Sequence, residues 1–186
     1  MLSNVKRPES EPAVRAGVAV QFLEASWYAA HTCSRHEKRI AEQLSKKEIE
    51  LFLPLYRSVH RWKDRQTQVE LPLFPGYLFV RIALKDRLQV LQAPGLVRLV
   101  GFNGLPTPVP EAEIQALRKG MESAVNVEPH PYLNLGRRAR IKNGPLQGIE
   151  GILVRKKSVF RLVLSVDLIM RSVAVEVDAS DVELIR

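Results

Sequence analysis

The segment Gly76 to Ile82, reading Gly-Tyr-Leu-Phe-Val-Arg-Ile, constrains the fold most. It follows a Pro75–Gly76 break and has the length and the aromatic, β-branched content of a strand. Alternation puts Tyr77 and Phe79 on one face and Leu78 and Val80 on the other. Both faces are apolar, so a fold built around this strand has to cover it on two sides. In one reading it is a central strand with core above and below. In another, the aromatic face stays partly open as a groove for a partner helix. The pattern of residues leaves both open.

The rest of the N-terminal half supplies strands and helices to surround it. Ser26 to His31 is a short apolar run around Trp27 and Tyr28 and reads as a buried strand. Ser34 stands three residues before Glu37, a capping-box spacing. Ile40, Ala41 and Leu44 then recur at helical spacing, which predicts a helix over about 34–47. Leu51 to Trp62 reads as one strand and Thr67 to Leu71 as its hairpin partner. Asp86 to Gln92 reads as a short helix with Leu88 and Leu91 inward, and Leu96 to Phe102 as a strand ended by Asn103–Gly104. Pro110 opens a last helix, with Glu111 and Glu113 complementing its macrodipole.

From Met121 to Leu135 the periodicity stops, and Pro129 and Pro131 make this the linker candidate. Beyond it, Ala139–Lys142, Gly151–Lys156, Phe160–Val166 and Val173–Val177 are Val-, Ile- and Leu-rich runs of period two, the pattern of a small barrel. Gly144, Pro145 and Gly148 fall between the first two and Gly151 opens the second, where glycine permits a tight corner. The expected divisions are a disordered arm over 1–24, an N-terminal domain over 25–120, a linker over 121–135 and a C-terminal domain over 136–186. Its β-branched content argues against a helical form of that last domain, and the proline-bearing linker predicts two domains that tumble semi-independently.

Several classes of function are set aside. The four histidines, at 31, 36, 60 and 130, lack spaced partners, and Cys33 is the only cysteine. This leaves no metal-ligand set, no disulfide framework and no catalytic constellation. Neither a phosphate-binding nor a dinucleotide-binding glycine loop occurs. The reading is a protein that is not an enzyme and takes no cofactor. No run of 18 apolar residues is present, and no signal-peptide core, so a cytoplasmic location without membrane contact is expected. The formal net charge of +8 favours a polyanionic partner.

Leu73-Phe-Pro-Gly-Tyr-Leu-Phe-Val80, followed by Arg140-Ile-Lys-Asn-Gly-Pro-Leu-Gln-Gly-Ile-Glu-Gly151, resembles the NusG family of transcription elongation factors. Trp27–Tyr28, Glu37–Lys38, Pro94–Gly95 and Pro106 to Pro110 extend the resemblance over about residues 26–186. It implies an α+β fold: an NGN α/β sandwich with a mainly antiparallel four-stranded sheet, joined to a five-stranded SH3-like KOW barrel. It also implies that Trp27, Tyr28, Phe74, Pro75, Tyr77 and Phe79 line an apolar cavity for the clamp helices of the RNA polymerase β′ subunit. A contact to the β subunit would fall near Asp86, Arg87 and Gln89.

In specialised relatives the start of the first helix reads non-template DNA. The matching positions are Arg35, His36, Lys38 and Arg39. Arg61 and Lys63, beside Trp62 in the hairpin, are further candidates for DNA or nascent RNA. Leu168, Ile169 and Arg171 match the barrel turn that contacts Rho or a ribosomal small-subunit protein, with Met170 where glycine is usual. The implied protein is monomeric, suppresses pausing and termination, and is closest to the UpxY- and RfaH-type paralogues that act on selected operons. The alternatives are the housekeeping NusG factor and a KOW-type RNA- or ribosome-binding protein.

Overall fold

The computed structural model describes residues 22–62, 65–123, 126–156 and 159–185, without the side chains of residues 59–62, 65, 66, 156 and 159. Most of the expected arm, residues 1–21, and Lys63 lie outside the described residues.

The N-terminal half runs β1 (Ser26–Thr32), α1 (Glu37–Ser45), β2 (Glu50–Phe52), β3 (Leu55–Trp62), β4 (Arg65–Pro72), β5 (Tyr77–Ile82), α2 (Arg87–Leu91) and β6 (Leu96–Leu99). The short pieces β7 (Gly101–Phe102), β8 (Leu105–Pro106) and β9 (Pro108–Val109) precede α3 (Glu111–Glu122). The main sheet has the order β2-β5-β1-β6, all antiparallel, and β9 adds a fifth piece against β1. The doubly apolar β5 therefore lies inside the sheet. Leu78 and Val80 join Tyr28, Ala30, Ile40 and Leu44 in one core under α1, while Phe79 joins Trp27 and Ala29 in a second core on the other face.

The C-terminal half holds β10 (Val127–His130), β11 (Arg138–Ile141), β12 (Glu150–Lys156), β13 (Val159–Val166), β14 (Arg171–Val177) and β15 (Val182–Leu184). They form one antiparallel sheet ordered β10-β14-β13-β12-β11-β15. Period two sorts β13 between two clusters: Leu162, Leu164 and Val166 face the main core, and Val163 packs with Ile152 and Ala174.

Several expectations are corrected. The run expected as Leu51–Trp62 divides into β2 and β3, because Pro54 has no N–H for a ladder. Its carbonyl instead accepts the Leu73 N–H at 2.8 Å. The strand expected to run from Leu96 to Phe102 divides into β6, ending at Leu99, and β7, although the Val100 N–H still donates to the Ala29 carbonyl. In α2 the buried residue is Val90, whereas Leu88 is 61% exposed. The capping box does not form: the N-cap is His36, without a side-chain bond.

The stretch expected as a linker contains β10, whose four residues pair with Val175 to Ser172 of β14. Six strands are thus present where five were expected. Pro129 fits because β10 is an edge strand, where a missing donor is tolerated. The two halves also touch. Ile114 and Leu117 of α3 belong to the same buried cluster as Trp27 and Phe79 and as Leu164 and Val175. A Cβ at Gly120 of α3 would come within 3.3 Å of Val175 Cγ2.

Candidate functional site

The pairing of β1 with β5 builds the candidate site. Residues directly opposite share a face, so Ala29↔Phe79 and His31↔Tyr77 align Trp27, Ala29 and His31 with Phe79 and Tyr77. Phe74 meets Phe79 edge-on at 5.9 Å, and Phe52 of β2 stacks on Phe79 at 6.1 Å. Arg118 of α3 lies 4.8 Å over the Trp27 ring and 5.3 Å over Phe52. Its Nη2 is 3.6 Å from Glu50 Oε1. A guanidinium over two rings closes this end of the aromatic row.

Exposure changes along the row. Trp27, Phe74 and Phe79 are buried, Tyr77 and His31 are half-buried, and Pro75 is exposed. The accessible part is the His31–Tyr77–Pro75 end. Tyr28 lies on the opposite face, under α1, so the structure does not bring it together with the other five. His31, Phe52 and Arg118 were missed in the sequence. His31 had a usable signal, since 27, 29 and 31 share strand parity. Phe52 and Arg118 had none, because their approach depends on sheet order and helix packing.

Of the other candidates, Arg35, Lys38 and Arg39 are exposed around the start of α1, and His36 is half-buried. The Cys33 N–H donates to the Gly95 carbonyl at 2.8 Å, tying this loop to the start of β6. Arg61 sits in β3 opposite Gln66, away from the α1 group in the topology.

In the C-terminal sheet, Gly144 and Gly148 both take φ +84° and Pro145 is exposed. The Gly148 N–H donates to the Ile141 carbonyl, closing the corner. A Cβ at Gly151 would meet the Val163 carbonyl oxygen at 2.5 Å, so this glycine is required by close strand approach. Leu168 is half-buried, Ile169 buried and Arg171 exposed. Met170, between them, takes the left-handed conformation.

A family model described as transcription termination factor NusG matches residues 25–118, half of the chain, including the aromatic row. The chain belongs to the NusG family. Transcription termination/antitermination proteins NusG of Staphylococcus aureus strains Mu50 and N315 are each 29% identical over 176 residues. These alignments cover 84% of this chain and 94% of the relative. A solved structure titled "Domain interaction in Thermotoga maritima NusG" matches with a TM-score of 0.55 at 22% identity. It covers 88% of this chain and 99% of that one, a likeness of fold. As a NusG-family member the protein is a transcription factor and not an enzyme. Among the described residues no helix is long and apolar enough to cross a membrane.

Proposed function

We propose that this NusG-family protein is an elongation and antitermination factor whose aromatic row, through its His31–Tyr77–Pro75 end, binds the clamp helices of RNA polymerase β′. The observation that carries the reading is the shared face of His31 and Tyr77, with Pro75 exposed beside them. His31 Nδ1 is buried without a hydrogen-bond partner among the described residues, a polar group that a docked chain could satisfy. Trp27, Phe74 and Phe79 act as the rigid floor. Tyr28 acts from the other core, by fixing β1 against α1.

A factor that prefers the closed clamp shifts the clamp equilibrium by its difference in affinity for the two states. That suppresses pausing and termination. Arg35, Lys38 and Arg39 offer a basic surface to displaced DNA or nascent RNA, with Arg61 and Lys63 as a second group. Residues 25–120 form the polymerase-binding domain and 136–186 the KOW domain, whose Arg171 and Leu168 serve a Rho or ribosomal partner once the halves separate.

Action on selected operons is favoured by Met170 in place of glycine at the barrel turn. The general-factor reading is favoured by the near full-length match to the Staphylococcus aureus proteins. Affinity capture of the native protein followed by genome-wide occupancy tests both. Polymerase subunits with loading on few operons support the specialised reading, and loading on most genes supports the general one. Capture of ribosomal subunits alone overturns polymerase binding.

A further inference from the structure

Glu37 is the first residue of α1 and only 3% exposed. A carboxylate so placed ordinarily serves its own helix, but this one reaches across to the turn before β5. The Gly76 N–H donates to its Oε1 at 2.7 Å, in a buried bond between residues 39 apart in sequence. The carbonyl of the same glycine accepts the Thr32 N–H at 2.8 Å. Both polar groups of Gly76 are therefore held, one by α1 and one by the end of β1.

The conformation held is an unusual one. Gly76 has φ +83°, and the Tyr77 N–H closes the turn on the Phe74 carbonyl at 3.0 Å. The Cβ position of Gly76 lies 3.9 Å from the His31 ring, which is itself paired with Tyr77. The turn thus decides where Pro75 and Tyr77 stand relative to His31. An amide bonded to a buried carboxylate is stronger and more directional than one bonded to water.

We propose that Glu37 is a positioning residue for polymerase binding: its carboxylate fixes the Phe74–Tyr77 turn so that Pro75 and Tyr77 are presented beside His31. The proposal rests on the aromatic row being the polymerase contact. Glu37 touches no partner itself. It lowers the number of turn conformations that docking would otherwise have to select.

The test compares E37D, E37Q, E37L and Y77A in the full chain for affinity to core RNA polymerase, thermal midpoint and the Gly76 amide proton shift. E37Q keeps length and an acceptor oxygen, and E37D keeps the charge but withdraws it by one methylene. Loss of the held turn predicts that E37D stays folded, moves the Gly76 amide upfield and weakens binding about tenfold, while E37Q stays within about threefold of the parent. E37L should lose at least as much as E37D; if it does not fold, the E37D–E37Q pair decides. A folded E37D with a shifted Gly76 amide and unchanged affinity overturns the positioning role, as does a loss in E37Q equal to that in E37D. Normal binding by folded Y77A instead overturns the aromatic contact on which the proposal rests.

Discussion

His31 and Tyr77 stand directly opposite each other across β1 and β5, their ring centroids 5.2 Å apart and their planes tilted by 39°. The pair marks the boundary between a buried aromatic core and solvent. Residues further along the same face, Trp27 and Phe79, hold the fold together. Residues at the pair reach solvent.

That boundary separates two alanine substitutions. Phe74→Ala empties a buried site and should destabilise the chain by about 3–5 kcal/mol. Tyr77→Ala truncates a half-buried ring and should cost about 1–2 kcal/mol of stability. It should also remove about 2 kcal/mol or more of polymerase binding. Urea midpoints with binding isotherms check this, and equal stability losses would contradict the division of the face.

The turn between β13 and β14 predicts a stabilising change. Met170 has φ +50° and ψ +51°, is 63% exposed, and donates its N–H to the Asp167 carbonyl at 3.1 Å. A left-handed residue with a Cβ is strained by about 1 kcal/mol. Met170→Gly should therefore raise stability by up to about that amount, less the added freedom of the unfolded chain. A lower thermal midpoint for the glycine variant would show that the Met170 side chain contributes packing that offsets its backbone strain.

Glu113 of α3 should make stability depend on pH. Burial first, and the charge of Asp167 second, raise its carboxyl from 4.5 to about 7. Asp167 also accepts a hydrogen bond from the Tyr132 hydroxyl at 3.1 Å, so the like charge stays close by. The folded chain keeps the Glu113 proton to higher pH than the unfolded chain does. The contribution is fully present below about 4.5 and is lost as pH rises through about 7. Glu113→Gln should flatten that part of the profile and be more stable than the parent above pH 7. Urea midpoints across this range decide it, and parallel profiles for the two proteins would contradict it.

The contact of α3 with the C-terminal sheet predicts a change in tumbling. Gly120 is buried, and its Cβ position lies 3.3 Å from Val175 and 3.7 Å from Leu164. Gly120→Leu should force the halves apart while improving local helix propensity. Nitrogen-15 relaxation should give one correlation time for the parent and two for the variant. Two in both would restore the semi-independent domains expected from the linker.

Much of this fold was legible because its strands alternate cleanly. The two apolar faces of β5 required a layer on each side, and two cores are found there. The strands Glu150–Lys156, Val159–Val166 and Arg171–Val177 followed from their Val, Ile and Leu pattern. What could not be read depended on contacts distant in sequence. Glu37 looks like part of a capping box until the approach of Gly76 is known. Val127–His130 looks like a linker because β10 is held by its ladder to β14 rather than by an apolar pattern of its own. The joining of the halves through Gly120 has no local signal, since a helix glycine ordinarily reads as a weak point. At the candidate site, the aromatic residues and their strand parity were visible, but the β1–β5 register that puts the two sets on one face, and their exposure, were not.

The most direct test of the account replaces Tyr77 with a photo-crosslinking phenylalanine and irradiates growing cells. The half-exposed position of Tyr77 keeps the probe at the edge of the row. One dominant adduct is expected, with the polymerase β′ subunit, mapping to its clamp helices and weaker in an E37D background. A probe that labels ribosomal proteins and leaves polymerase unlabelled would contradict it.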